Sequence, residues 1–268
     1  MPVMKTAKTL PSWVDGLQSQ GRYAFTSSEA ISALGEKKIA YKRAAARLTR
    51  KGRLIVARRG FYVIVPLEYQ TAGSPPPSWY MDALMKAWKH PYYVGLLSGA
   101  AIHGAAHQKP QEFQVVTDTR LRPLRVGRGK IHFFMKSTLA LTPMTPIKTE
   151  TGLMQVSTPE ATALDLIRYE KSVGGLDHVA TVLKELSERI NPQILLRIAK
   201  KEPEVSVVQR LGFLLEHVGA SRAVAPLAGW VARQKPSMIA LRPEKSPKTR
   251  DKRNRWNLIV NEKIETDL

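Results

Sequence analysis

The 268-residue sequence contains no cysteine. Disulfides and thiolate-held metals are therefore excluded, and the usage fits a reducing cytoplasm. No apolar run approaches the roughly 20 residues that a membrane-spanning helix needs. The opening MPVMKTAKTLPSWV lacks the hydrophobic stretch of a signal peptide. A soluble cytoplasmic protein with no membrane partner is the expectation. Acidic side chains are scarce, 22 against 42 basic ones, for a formal net charge of +20. That balance points to a polyanionic partner, nucleic acid above all. Aromatic residues make up only 7% of the chain, yet apolar residues reach 43%, enough for a sizeable core.

The charge is unevenly spread. Residues 1–70 hold 13 basic and 4 acidic side chains, whereas residues 151–200 hold 6 of each. The densest basic stretch, EKKIAYKRAAARLTRKGRLIVARRGFYVIV (residues 36–65), organises the reading of the chain. At about 100° per residue, Ala40, Ala44 and Leu48 share one helical face, with Tyr41 beside them. Lys38, Lys42, Arg43, Ala46, Thr49 and Arg50 fall on the other half, with Arg47 at its margin. Gly52 suits a helix C-terminus. Upstream, Thr26-Ser27-Ser28-Glu29 has the capping-box pattern and opens a short helix that Gly35 ends, with Phe25 as its hydrophobic staple. Downstream, Leu54–Ala57 and Phe61–Val65 are two β-prone runs, and Arg58, Arg59 and Gly60 suit a tight hairpin loop. A first helix is expected from Trp13 to near Gly21. The order helix, helix, basic helix, arginine-tipped hairpin is that of a winged helix-turn-helix. The expected DNA contacts are Lys38, Lys42, Arg43, Arg47 and Arg50 on the helix and Arg58 and Arg59 on the wing, the last pair reaching phosphate or the minor groove.

The run Thr71–Ser78, with a glycine and three prolines, reads as a semi-rigid linker. The expected organisation is a winged helix-turn-helix domain over 1–70, a linker over 71–78 and a larger mixed α/β domain over 79–268, an α+β chain overall. Within that domain a helix is expected over Ser78–Lys89, and the small-residue run Tyr92–Gly104 reads as a tightly packed helix. Phe113–Thr117, Ile131–Met135 and Gly152–Val156 read as strands. Arg120, Arg122, Arg125 and Arg128 lie in a connection whose Gly127-Arg128-Gly129-Lys130 reads as a hairpin turn, and they extend the basic surface. Helices are expected from Ser157-Thr158-Pro159-Glu160 onwards, over Leu176–Ile190, Ile194–Lys200 and Val205–Val218. Arg242–Arg255 reads as an exposed basic loop and Trp256–Val260 as a closing strand.

Two stretches then carry a family resemblance. Tyr92–Gly104, followed by Gln108, Pro110 and the strand Phe113–Thr117, is similar to the AbiEi antitoxin family, as is Val156–Ile167. The segment from Arg47-Leu48 through Lys51–Leu54 to Arg59–Val63 resembles that family's winged-helix head. The resemblance spans most of residues 12–170 and, more weakly, Arg255–Asn261. It implies a type IV, abortive-infection antitoxin for phage defence that also represses its own promoter by binding inverted repeats in double-stranded DNA. It implies a C-terminal domain of mixed structure needed for antitoxin activity, and a cognate nucleotidyltransferase-like toxin that is not necessarily bound directly. The long basic segment 242–255 departs from the family pattern.

No catalytic residues, cofactor or metal are expected. His103 and His107 have a chelating spacing, but no glutamate follows His103 as in H-E-x-x-H and no cysteine assists. Gly127–Lys130 lacks the spacing of a phosphate loop. A Gly-Ser followed by an Asp-x-Asp pair, as a nucleotidyltransferase needs, is missing. The alternative is a metal-dependent nuclease with a winged-helix targeting head, seeded by Asp118 and Glu160. A third possibility is an interaction protein that captures the toxin through its C-terminal domain.

Overall fold

The structure, a computed structural model, describes residues 9–105, 110–245 and 254–266. The chain is mixed α/β and divides into two compact units. One comprises Met1–Tyr93, Gln111–Ser137 and Pro146–Gln155; the other comprises Val94–Pro110, Thr138–Thr145 and Val156–Leu268. The expected linker 71–78 lies inside the first unit.

That unit opens with α1 (Leu10–Ser19), capped by Thr9 and with Pro11 in its first turn. Next come β1 (Ala24–Thr26) and α2 (Ser27–Leu34). The Thr26 hydroxyl accepts the Glu29 amide at 3.2 Å. Gly35 ends α2 at φ 62°, a left-handed conformation that costs glycine little. After α3 (Lys38–Arg50), β2 (Leu54–Arg58) and β3 (Phe61–Ile64) form a hairpin that β1 completes in the order β1-β3-β2. One core joins these elements. Leu10, Trp13, Val14 and Leu17 of α1 meet Phe25, Ala30, Tyr41, Ala44, Ala45, Leu48, Leu54 and Ile64. Trp13 meets Phe25 edge-on at 5.0 Å, and Phe25 stacks on Tyr62 at 5.5 Å.

The opposite face of this small sheet is covered as well, since Ala24, Phe61 and Val63 are all buried. Beyond the proline run, α4 (Met81–Trp88) follows, then β4 (Tyr92–Val94), β5 (Phe113–Thr117), β6 (Leu124–Val126), β7 (Gly129–Met135), β8 (Met144–Thr149) and β9 (Gly152–Ser157). These strands form a six-stranded sheet in the order β6-β7-β5-β4-β9-β8. β5 runs parallel to β7 from Phe113↔Ile131 to Thr117↔Met135, and β6 pairs antiparallel with β7 around a two-residue turn. The run 71–78 clasps that turn. The Arg128 amide donates to the Ala72 carbonyl at 3.1 Å, and the buried Ser74 hydroxyl donates to the Val126 carbonyl at 2.9 Å. A Cβ on Gly127 would sit 2.7 Å from the Gly73 backbone, so the close approach requires glycine.

The second unit is mainly helical: α5 (Leu96–Ile102), α6 (Pro159–Arg168), α7 (Gly175–Leu186), α8 (Pro192–Ala199), α9 (Val205–His217) and α10 (Ser221–Gln234), closed by a parallel pair, β10 (Ile239–Ala240) and β11 (Leu258–Ile259). Two sequence expectations are corrected here, and one helix stands where the sequence reading placed no element. The run Tyr92–Gly104 begins as a strand and only then turns helical. The helix α10 went unforeseen because it carries Pro226 inside it, a residue that ordinarily stops a helix. The closing strand shrinks to Leu258–Ile259. Trp256 before it is fully buried, its ring seated where a Cβ on Gly212 would come within 2.1 Å. Its indole donates to Glu216 at 2.6 Å. Residues 246–253 of the basic segment lie outside the described residues.

Candidate nucleic-acid interface

Helix α3 buries Tyr41, Ala44, Ala45 and Leu48, the i, i+3, i+4, i+7 stripe of a helix seated on one side. This corrects the expected seam. Ala40 is exposed, and Ala45 takes the buried place beside Ala44. The spacing from Tyr41 was the signal for this, because a fourfold repeat from Ala40 drifts around the helix. The hydroxyl of Tyr41 donates to Ser27 Oγ at 3.5 Å, and burial pushes its phenol pKa well up. Tyr41 also meets Tyr62 of β3 edge-on at 6.1 Å.

With that stripe inside, the rest of α3 faces out. Lys38, Lys42, Arg43, Arg47 and Arg50 are all exposed, as are Ile39, Ala46 and Thr49. Among the described residues none of the five cations forms an ion pair. Two nearby arginines differ: Arg22 bridges Glu29 and Arg53 bridges Asp15, each at 2.5 Å. So the neutralised cations of this region lie off α3. The first turn of α3 carries no acidic residue and its Lys37 cap makes no side-chain hydrogen bond. Lysines there sit against the positive end of the helix dipole, an arrangement that an anion would relieve.

The hairpin tip is the two-residue loop Arg59-Gly60, with Gly60 at φ 85°. The register shifts between Val56 and Arg58, so that Arg58 pairs with Phe61 and Val56 with Tyr62. Directly opposed residues share a face. Tyr62 lies on the α3 side, and Arg58 shares with the buried Phe61 the face turned from α3. There the Arg58 guanidinium lies over the Trp88 ring, 4.7 Å from its centroid. Arg59 is exposed at the tip. The Gly60 carbonyl accepts the Ser27 amide at 2.8 Å, so the tip and the first turn of α3 meet around the same serine.

Arg120, Arg122, Arg125 and Arg128 are all exposed and, among the described residues, unpaired. Strand β6, which bears Arg125, lies beside β2. Lys130 of β7 is instead paired with Glu112, which also meets His132 Nδ1 at 3.2 Å. These partners, Lys130 first, hold the Glu112 carboxyl below its ordinary value, against a smaller opposing effect of burial.

The carboxylates weighed for nuclease chemistry have other surroundings. Asp118, just past β5, lies 3.9 Å from His90. Glu160 is buried in α6 and accepts the Asn191 amide at 2.8 Å. Among the described residues no group of three or more His, Asp or Glu side chains is gathered as for a metal. His103 is held by a carbonyl, its Nε2 donating to Ser157 at 2.7 Å; His107 lies outside the described residues.

That histidine belongs to a small, closely packed arrangement. Val94 of β4 pairs in parallel with Val156 of β9. A Cβ on Gly99 would come within 3.3 Å of both the Ser157 and Thr162 hydroxyls, which hydrogen-bond each other at 2.6 Å. The stretches Tyr92–Gly104 and Val156–Ile167, far apart in sequence, thus interlock through glycine, serine, threonine and histidine. Their small side chains are needed for packing.

Residues 93–217 match the model of the AbiEi antitoxin C-terminal domain, which supports the AbiEi antitoxin family. Its antitoxin domain implies a toxin partner. The fold is similar to the crystal structure of RV2827C protein from Mycobacterium tuberculosis, at 15% identity and a TM-score of 0.65, over 98% of this chain and 94% of that one. No curated protein matches the chain. Among the described residues no helix is long and apolar enough to cross a membrane.

Proposed function

We propose that residues 9–65 form a winged helix-turn-helix that binds double-stranded DNA, and that the chain is a type IV antitoxin repressing its own promoter through inverted repeats. The observation that carries this reading is α3: five cations on its outward side, all exposed, none paired among the described residues. Unpaired lysines and arginines crowded on one helix repel each other, and a polyanion turns that cost into binding. In this reading α3 enters the major groove, where Lys38, Lys42, Arg43, Arg47 and Arg50 meet phosphates and guanine edges. Arg59 holds the flanking backbone. Arg58, stacked on Trp88, braces the wing from its far face and is the weakest of the expected contacts. Arg120, Arg122, Arg125 and Arg128 widen the basic surface beyond β2. The partner toxin is a nucleotidyltransferase-like protein, neutralised in the cytoplasm by the domain that matches the family.

The test is a titration of a labelled duplex from the region upstream of the gene, with full-length protein and with the Lys42→Ala, Arg43→Ala, Arg47→Ala, Arg50→Ala variant. The expected loss is about 100-fold or more, with the log–log salt slope falling by roughly 0.9 for each phosphate contact removed. Unchanged affinity and slope would remove α3 from the interface. The nuclease reading predicts cleavage of the same duplex with magnesium or manganese, abolished by Asp118→Ala.

A further inference from the structure

Ile39 stands out on α3. It is 68% exposed, among the most exposed large apolar side chains of the described residues. It occupies the second position of the helix. At 100° per residue it shares a side with Arg43, Ala46 and Arg50, and lies diametrically opposite the buried Tyr41–Leu48 stripe. Lys37 and Lys38 precede it and Lys42 and Arg43 follow it, and every one of these four is exposed. An apolar partner protein would have to desolvate those charges to reach the isoleucine, which is costly. A polyanion would not. The surface therefore fits a partner that is anionic along its backbone and apolar at isolated points between the charges. The DNA major groove has that chemistry, because each thymine presents a C5-methyl group between phosphate rows. The N-terminal residues of a groove-inserted helix are the ones that reach base edges. Ala46, about two turns further along the same side, leaves room for the bases to approach.

We infer that Ile39 is a specificity-determining residue that reads a thymine methyl in the major groove. The inference rests on the DNA-binding reading above. It also predicts that the protein distinguishes DNA from RNA, whose uracil lacks that methyl and whose A-form major groove is too deep and narrow for a helix. Isoleucine fits this role because it has no polar atom to compete for the base edges, and its branched, stiff side chain loses little freedom on contact.

The experiment selects binding sequences from a pool of random-sequence DNA duplexes, using the full chain and its Ile39→Ala variant. Because Ile39 is exposed and alanine is the better helix former, the variant is expected to fold normally. Each thymine of the selected sequence is then replaced singly by deoxyuridine, which removes only the methyl. At one position in each half-site the wild type should bind roughly three- to fivefold more weakly, the effect of one methyl leaving a buried contact. The Ile39→Ala variant should bind both duplexes equally, and Ile39→Val should restore part of the difference. A selected motif whose deoxyuridine substitutions leave the wild type unaffected, or weaken wild type and Ile39→Ala alike, would overturn the role of Ile39 while leaving the interface in place. Equal binding of an RNA duplex of the selected sequence would overturn both the role of Ile39 and the insertion of α3 in the major groove. Failure to bind or enrich any duplex would overturn the DNA-binding reading and the inference together.

Discussion

The cations of α3 and the arginines of the second unit are the same chemistry put to opposite uses. On α3, Lys38, Lys42, Arg43, Arg47 and Arg50 face outward with no ion-pair partner among the described residues. In the second unit Arg168 is clamped between Glu202 and Glu204, with side-chain exposures of 15% for Arg168 and 5% for Glu202. Arg242 bridges Asp177 at 2.6 Å and also meets Glu262, while Arg255 reaches Glu216 at 2.7 Å. Burial acts to lower the Arg168 pKa, but its hydrogen bonds to Glu202 and Glu204 outweigh that and hold the guanidinium above its usual value. The paired arginines tie helices and the C-terminal segment of that unit to one another. The unpaired ones tie nothing within the described residues. A net charge of +20 says little until its members are sorted in this way: a cation with an intramolecular partner serves the fold, and a cluster without one is available for a ligand.

If that division is sound, the two sets respond oppositely to alanine. Arg168→Ala strands Glu202 in a nearly dry site, and we expect a loss of about 2–3 kcal/mol in urea or thermal unfolding, with DNA affinity within about twofold of wild type. A comparable drop in DNA binding with no change in stability would collapse the distinction. The reverse experiment removes Lys42, Arg43 and Arg47 together. Stability should change by less than about 0.5 kcal/mol and rise if anything, because alanine favours the helix and repulsion is relieved; marked destabilisation would mean that these side chains have intramolecular work after all. The smallest effect belongs to Glu112. Its folded pKa is lowered, chiefly by Lys130. Its stabilisation is therefore present above the ordinary carboxylate range and lost as pH falls through the lowered folded value. Half-exposed partners limit it to about 0.5 kcal/mol. Wild type and Glu112→Gln should differ in urea midpoint at about pH 7 and converge once the pH has fallen below the lowered folded value. A gap that persists in acid would show that the glutamine is destabilising for some other reason.

Much of the first 65 residues was legible because the signals there are local. The Thr26 cap, Gly35 and the arginine-glycine turn each state their own backbone requirement within four residues. The helix Ser27–Leu34, the span of α3 and the strand Phe113–Thr117 follow the sequence reading closely. The misreadings share a different cause. Ala40 and Ala45 are chemically identical, so which one is buried depends on what α3 packs against. Tyr92–Val94 becomes a strand because Val94 finds Val156, more than sixty residues away. The helix α10 tolerates Pro226 within a packed unit whose Val224 and Leu227 are fully buried.

By itself, then, the amino-acid order determined the caps, turns and periodicities, the concentration of positive charge before residue 70, and the ordered motifs that mark the family. Only the tertiary structure decided that the proline run clasps the β6–β7 turn, that Arg58 lies over Trp88, which of the cations acquire carboxylate partners, and that Ile39 stands exposed among lysines and arginines. The physical reason is range. A cap or a turn is satisfied by neighbours in the chain, whereas burial, pairing and exposure depend on groups that folding brings together from distant positions.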